Sequence, residues 1–207
     1  MAMRPVNLAT LAGYTLGGLL AVTACGGDDG ATRLATENDL PKMVLQQEDV
    51  PAGLDRVPGT ELERDPSEDS LASFTRLFFG TLEGSDPEEG LCIGSIAKLY
   101  DDAEAAGTGF NDARKYLVQN VDEHEVDAPD LGDDIVAYQY VSDSPAFCGF
   151  AESNDTAEYV TLIFRYGNTV HNVTMHNFGG AVSVDEAIDL AEKQAGRSEG
   201  ALAGDSP

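Results

Sequence analysis

Apolar positions along the chain fall into three patterns: one unbroken run near the start, helical stripes, and short strand-like runs. The run from Leu8 to Val22 follows Met1 and Arg4 and is too short for a comfortable membrane span. Beyond it, Asn38 to Leu45 combines a capping residue, an early proline and apolar positions, which predicts a short helix. Glu48 to Gly53 reads as a turn by its Pro and Gly content. Leu71, Phe74, Leu77 and Phe78 recur at helical spacing, so Ser67 to Phe79 reads as a helix stopped by Gly80. Phe78-Phe79 also suit the start of a strand. Leu91 to Tyr100 predicts a buried strand. A helix from Ala103 to Val118 follows, packing through Phe110, Tyr116 and Leu117, with Asp101 to Glu104 at its start. Asp122 to Asp134 reads as an acidic loop, and Ile135 to Val141 as a strand rich in aromatic and β-branched residues.

Tyr159 to Phe178 forms the clearest local unit. Two strand-like runs flank Gly167-Asn168, a favoured two-residue hairpin turn. A loop of those two residues pairs Phe164 with His171, Leu162 with Val173 and Val160 with Met175, making one apolar face. Ile163 with Asn172, Thr161 with Thr174, and Tyr159 with His176 make the other. A helix from Ser183 closes the chain: Ser183 and Glu186 fit a capping box, and Ala187, Ile188, Ala191 and Ala195 make a narrow small-residue stripe. The predicted fold is α+β, an antiparallel sheet with helices packed on its faces.

The apolar run ends at Val22-Thr23-Ala24-Cys25, in the branched-small-small-cysteine order of a bacterial lipobox. That pattern predicts cleavage before Cys25 and transfer of a diacylglycerol to its thiol, and such a doubly acylated cysteine anchors stably. Four regions follow: residues 1–24 a lipoprotein signal peptide, 25–37 the lipidated Cys25 and a disordered tether, 38–197 the globular domain, and 198–207 a disordered tail.

The formal net charge is −25, and loss of Arg4 with the signal makes the chain one unit more acidic. Such a surface repels phosphate backbones, which argues against nucleic acid as a partner. With Cys25 acylated, Cys92 and Cys148 remain, and an even number outside the cytoplasm predicts one disulfide. It closes a loop of about 57 residues, for which chain entropy gives roughly 4 kcal/mol.

Candidate chemistry is sparse. Ser95-Ile96-Ala97-Lys98 has the Ser-x-x-Lys spacing of penicillin-recognising enzymes, but its companion motifs are absent and the segment reads as strand. His171 and His176 fall on opposite hairpin faces and His124 in the acidic loop, so no joint transition-metal site is expected. Asp127, Asp130, Asp133 and Asp134 lack EF-hand spacing. No cofactor and no catalytic set is implied. Among the aromatic residues, Tyr138 and Tyr140 are the candidates to line a ligand groove.

Three segments occur in order: Leu131-Gly132-Asp133-Asp134-Ile135-Val136-Ala137-Tyr138, Phe164-Arg165-Tyr166-Gly167-Asn168-Thr169-Val170, and Leu190-Ala191-Glu192-Lys193-Gln194-Ala195-Gly196-Arg197. With Asp49-Val50-Pro51-Ala52-Gly53, they resemble a group of lipid-anchored or membrane-tethered extracellular domains of actinobacteria. That group's fold is similar to the PsbP-like α/β sandwich and to extracellular sensor-like domains of receptor kinases. The resemblance implies fold and transfers no catalytic residue.

The expectation is a non-enzymatic binding or accessory lipoprotein of the cell envelope. It would be held on the extracytoplasmic side of the membrane by its diacylglyceryl-cysteine, with an unidentified small molecule or envelope protein as partner. The alternatives are an envelope-acting hydrolase using a carboxylate pair and a structural partner of a membrane complex.

Overall fold

The computed structural model describes residues 33–59, 62–63, 69–82, 90–120, 123–142, 157–178 and 181–204. Along them run α1 (Leu40–Met43), a 3-10 turn (Gln47–Asp49), β1 (Leu54–Arg56), β2 (Leu62–Glu63), β3 (Ala72–Gly80) and β4 (Gly90–Leu99). They are followed by α2 (Ala103–Asn120), β5 (Glu123–Val126), β6 (Asp134–Ser142), β7 (Ala157–Tyr166), β8 (Thr169–Phe178) and α3 (Val184–Ala203). The strands make one antiparallel sheet ordered β1-β3-β4-β8-β7-β6-β5, with β2 also on β3. The architecture is the expected α+β class.

The hairpin takes the register its turn predicts. Gly167 adopts φ 52°, and Phe164 faces His171, Leu162 faces Val173 and Val160 faces Met175. These side chains share one face of the sheet with Phe78 and Ile93, and there α3 packs through Ala187, Leu190, Ala191 and Ala195. Small side chains bring the helix axis close to the strands, so a narrow stripe buries fully. Beside it, Leu40 and Met43 of α1 meet Phe74, Ala97, Leu99, Ala201 and Leu202. On the opposite face Ala106 and Phe110 of α2 cover Val136, Tyr138, Ile163 and Val170.

Five expectations are corrected. Residues 72–79 of the expected helix, with Gly80 after them, are strand β3: Ala72, Phe74 and Phe78 alternate inward, while Leu71 is exposed. Arg76 holds the remaining inward position, so a buried charge breaks the alternation that marks a strand. The acidic loop contains β5, which pairs with β6. Tyr116 is largely exposed on α2 and is not part of the buried cluster beneath it.

The tether and tail boundaries also move. Residues 33–37 belong to the packed domain. Arg33 makes a double hydrogen bond to Asp39 and donates to the Ala201 carbonyl. The Ala35 amide donates to the side chain of buried Asn168, which in turn donates to the Tyr100 carbonyl. The Arg33 guanidinium, with Thr36 behind it, holds the Asp39 carboxyl well below the usual carboxylate range. At the other end α3 runs past Arg197 to Ala203, because Ser198, Ala201 and Leu202 are buried. It stops at Gly204, whose φ of 81° is the left-handed conformation of a helix C-cap. Its start is the predicted one, with the Ser183 hydroxyl accepting from the Glu186 amide.

Candidate functional site

α3 carries Lys193 and Arg197 four residues apart, hence on one side of the helix, with Gly196 and Gly200 beside them. Docking α1 and the 3-10 turn next to that side encloses a groove of about 710 Å³. Pro41, Lys42 and Gln46 line one wall and Gly196, Gly200 and Ala201 the other. Arg197 closes one end. Its Nε and Nη2 grip the two Asp49 oxygens, and Nη2 also donates to Glu48 Oε1 at 2.7 Å. Asp49 is fixed from behind by the Gln46 amide, and Lys193 Nζ donates to the Asp49 carbonyl at 2.8 Å. A backbone hydrogen bond and the Arg197 guanidinium hold the Glu48 carboxyl below its usual value. Burial opposes the Arg197 charge, but the two carboxylates outweigh it and raise that group further.

A chain of buried polar groups runs beneath α3. Arg76 Nη1 donates to the Leu45 carbonyl, and the Leu45 amide donates to Ser95 Oγ. Ser95 donates to Gln194 Oε1, and Gln194 Nε2 donates to the Ile96 carbonyl and faces His171 Nδ1 at 3.4 Å. Thr169 Oγ1 spends its proton on the Tyr166 carbonyl, so His171 Nε2 donates to it. These directions fix the neutral Nε2–H tautomer, and burial pushes the His171 imidazole down to about 3. Arg76 lies over the Phe74 ring, and burial lowers its pKa too.

A second, smaller depression of about 360 Å³ lies between α2 and the sheet, lined in part by Lys98, Asp112 and Asn172.

The positions singled out in the sequence are scattered. Ser95 is buried under α3 while Lys98 lines the depression on the α2 side. Three residues apart on a strand, they occupy opposite faces, so the Ser-x-x-Lys spacing does not bring the two side chains together. His171 lies on the α3 face, and His124 is exposed on β5. Tyr138 is buried in the α2 core, its hydroxyl 3.3 Å from Arg114 Nε. Tyr140 stacks on Tyr159 at 5.0 Å, which in turn meets His176. Neither Tyr138 nor Tyr140 lines the α1–α3 groove. In the acidic segment, Asp133 and Asp134 pair with Arg165, and Asp133 accepts from the Gly167 amide, so these acids brace the hairpin. Among the described residues no three His, Cys, Asp or Glu side chains converge as a metal site would need. Cys92 is fully buried and disulfide-bonded. Cys25 and Cys148 lie outside the described residues.

No sequence motif marks Lys42, Asp49, Lys193 and Arg197 as site residues. One local signal existed: a Lys-x-x-x-Arg pair with glycines interrupting an otherwise good helix, a costly choice in a helix interior.

Neither a family model nor a curated protein sequence matches the chain. Among solved structures, it is similar to the extracellular domain of PknH from Mycobacterium tuberculosis. The TM-score is 0.48 at 9% identity, covering 84% of this chain and 99% of that chain. Among the described residues, no helix is long and apolar enough to cross a membrane.

Proposed function

We propose that this chain is an extracytoplasmic lipoprotein, a non-enzymatic binding or accessory domain anchored to the cell membrane through acylated Cys25. The observation that carries the reading is the Val22-Thr23-Ala24-Cys25 sequence closing an apolar run. Eight residues later, Arg33 makes the first described contacts of a packed domain. The buried, oxidised state of Cys92 supports an oxidising compartment, and we assign its partner as Cys148. The α1–α3 groove is the binding surface, because cations and open helix backbone meet there in a concave space of ligand size. The Asp39 and Glu48 carboxyls are both held below their usual values. A general acid needs the opposite shift, so these two supply no support for hydrolysis.

Intact mass spectrometry of the full chain purified from bacterial membranes tests the anchor. A mature chain starting at Cys25 and carrying a diacylglycerol is the expected product, lost in Cys25→Ala. An unacylated or unprocessed wild-type chain overturns the reading.

A further inference from the structure

The face of the sheet under α2 carries a directed chain of polar groups. Thr174 Oγ1 donates to Asn172 Oδ1 at 2.8 Å. Its single proton is used there, so it accepts at the 3.0 Å contact with Thr161. Thr161 in turn has given its own proton, and the Tyr140 hydroxyl donates to it at 3.3 Å. The chain runs from β6 through β7 to β8 and ends on the Asn172 carbonyl oxygen. That fixes which way the Asn172 amide points.

Asn172 lines the depression of about 360 Å³ between α2 and the sheet. The helix leaves both Asn172 and Ile96 half-buried there. Asn172 Nδ2 has no acceptor among the described residues, so two oriented N–H donors are held at a concave surface. Asparagine is a poor strand residue, and a β-branched side chain would pack better at this position. Folding does not require an amide here.

The other lining groups define what the donors meet. Asp112 is exposed on the α2 wall, and its carboxylate makes no ion pair among the described residues. A carboxylate only accepts, which complements the Asn172 donors. Ile96, Ile163 and Val170 supply an apolar floor. Charge disfavours ions of either sign: Asp69 and Asp112 oppose an anion, while Lys98, already engaged, opposes a cation. A neutral molecule fits, with hydroxyls that donate and accept around a C–H face. The cavity is at the small end for a ligand site.

We propose that this depression is a sugar-binding site, distinct from the α1–α3 groove, that takes a neutral mono- or disaccharide. Asn172 donates to one ring hydroxyl, Asp112 accepts from its neighbours, and the C–H face lies on Ile96 and Val170. Thr161 and Thr174 are positioning residues that hold the amide for the ligand. The site does not depend on acylation of Cys25.

Two-dimensional proton–nitrogen NMR spectra of the full chain, in micelles of a sugar-free detergent, follow the Asn172 side-chain NH2 pair. Its loss in Asn172→Asp identifies it. Glucose, galactose, mannose and maltose are titrated separately, with inorganic phosphate and methylamine as charged controls. At least one sugar should shift the pair saturably. Asp112→Asn, a change at an exposed carboxylate, should weaken that binding about tenfold, the contribution of one charge-assisted hydrogen bond. Thr174→Val should also weaken it while the backbone spectrum stays that of the folded chain. Binding of a monosaccharide or of maltose alone upholds the site, the first marking a free sugar and the second a glycan chain. No shift with any of the sugars, an equal shift with phosphate or methylamine, or unchanged affinity in Asp112→Asn overturns the proposal.

Discussion

The Ser95 hydroxyl donates to Gln194 Oε1 at 2.5 Å, joining the interior strand β4 to α3 across 99 residues of sequence. Both side chains are fully buried. Every proton in the surrounding set has a determined direction, from the Leu45 amide through Ser95 and Gln194 to His171 and Thr169. Such a set specifies how α3 sits on the sheet, because sliding the helix by one residue breaks several bonds in a dry interior.

Ser95→Ala is therefore expected to destabilise the fold by about 1–3 kcal/mol, since it strands the Leu45 amide and the Gln194 carbonyl oxygen without partners. Urea denaturation at neutral pH measures this. A midpoint equal to wild type would show that the set contributes nothing.

Burial lowers both inward histidines, His171 to about 3 and His176 to about 4. The unfolded chain binds protons at these positions below pH ~6.5, whereas the folded chain does not until pH falls toward 4 and 3. Stability is thus fully present above pH ~6.5 and falls as pH drops toward 4, by up to about 1.4 kcal/mol per pH unit for each histidine. Urea midpoints between neutral pH and pH ~5 should fall, and His171→Gln should flatten the slope. An identical slope in the variant would rule out His171 as a contributor.

Two glycines two residues apart on α2 are expected to respond in opposite directions to alanine. A Cβ at Gly107 meets nothing within 4 Å, whereas at Gly109 it would sit 2.3 Å from the buried Tyr100 ring. Gly107→Ala should stabilise by about 1 kcal/mol through helix propensity, while Gly109→Ala displaces Tyr100 and lowers the melting temperature. Equal shifts in thermal melts would contradict the packing of Tyr100 under α2.

Gly196→Ala should also raise stability by about 0.5–1 kcal/mol, because the added methyl enters open groove. A drop in the melting temperature would mean that α1 lies closer to α3 than the structure places it.

Local signals account for the parts of the fold that the sequence predicts. Gly167-Asn168 allows few turn geometries, and one turn sets the register of twenty residues. Ser183 and Glu186 mark a helix start within a single turn of chain. β3 does not read as a strand in the sequence because its inward face includes Arg76, whose placement depends on the distant Leu45 carbonyl. The last turn of α3 reads as a tail because Ser198 and Gly200 are weak helix formers. Contact with α1 decides that, and it spans about three quarters of the chain. The groove lay deeper still: Asp49 and Arg197 meet only after both helices dock, and neither residue type is informative singly. Tyr138 is an aromatic residue with a polar tip that the α2 layer covers, which its own residue type does not announce.

Arg33 grips the last turn of α3, so the polypeptide enters and leaves the sandwich at one corner. Whatever is joined after Gly204 therefore starts on the same side of the domain as Arg33. A tug on either chain end is borne first by the Arg33, Asp39 and Ala201 contacts, where α1 meets α3. The long ladders of β3, β4, β8 and β7 are spared, and a pull on the domain is carried as a weight on a single hook.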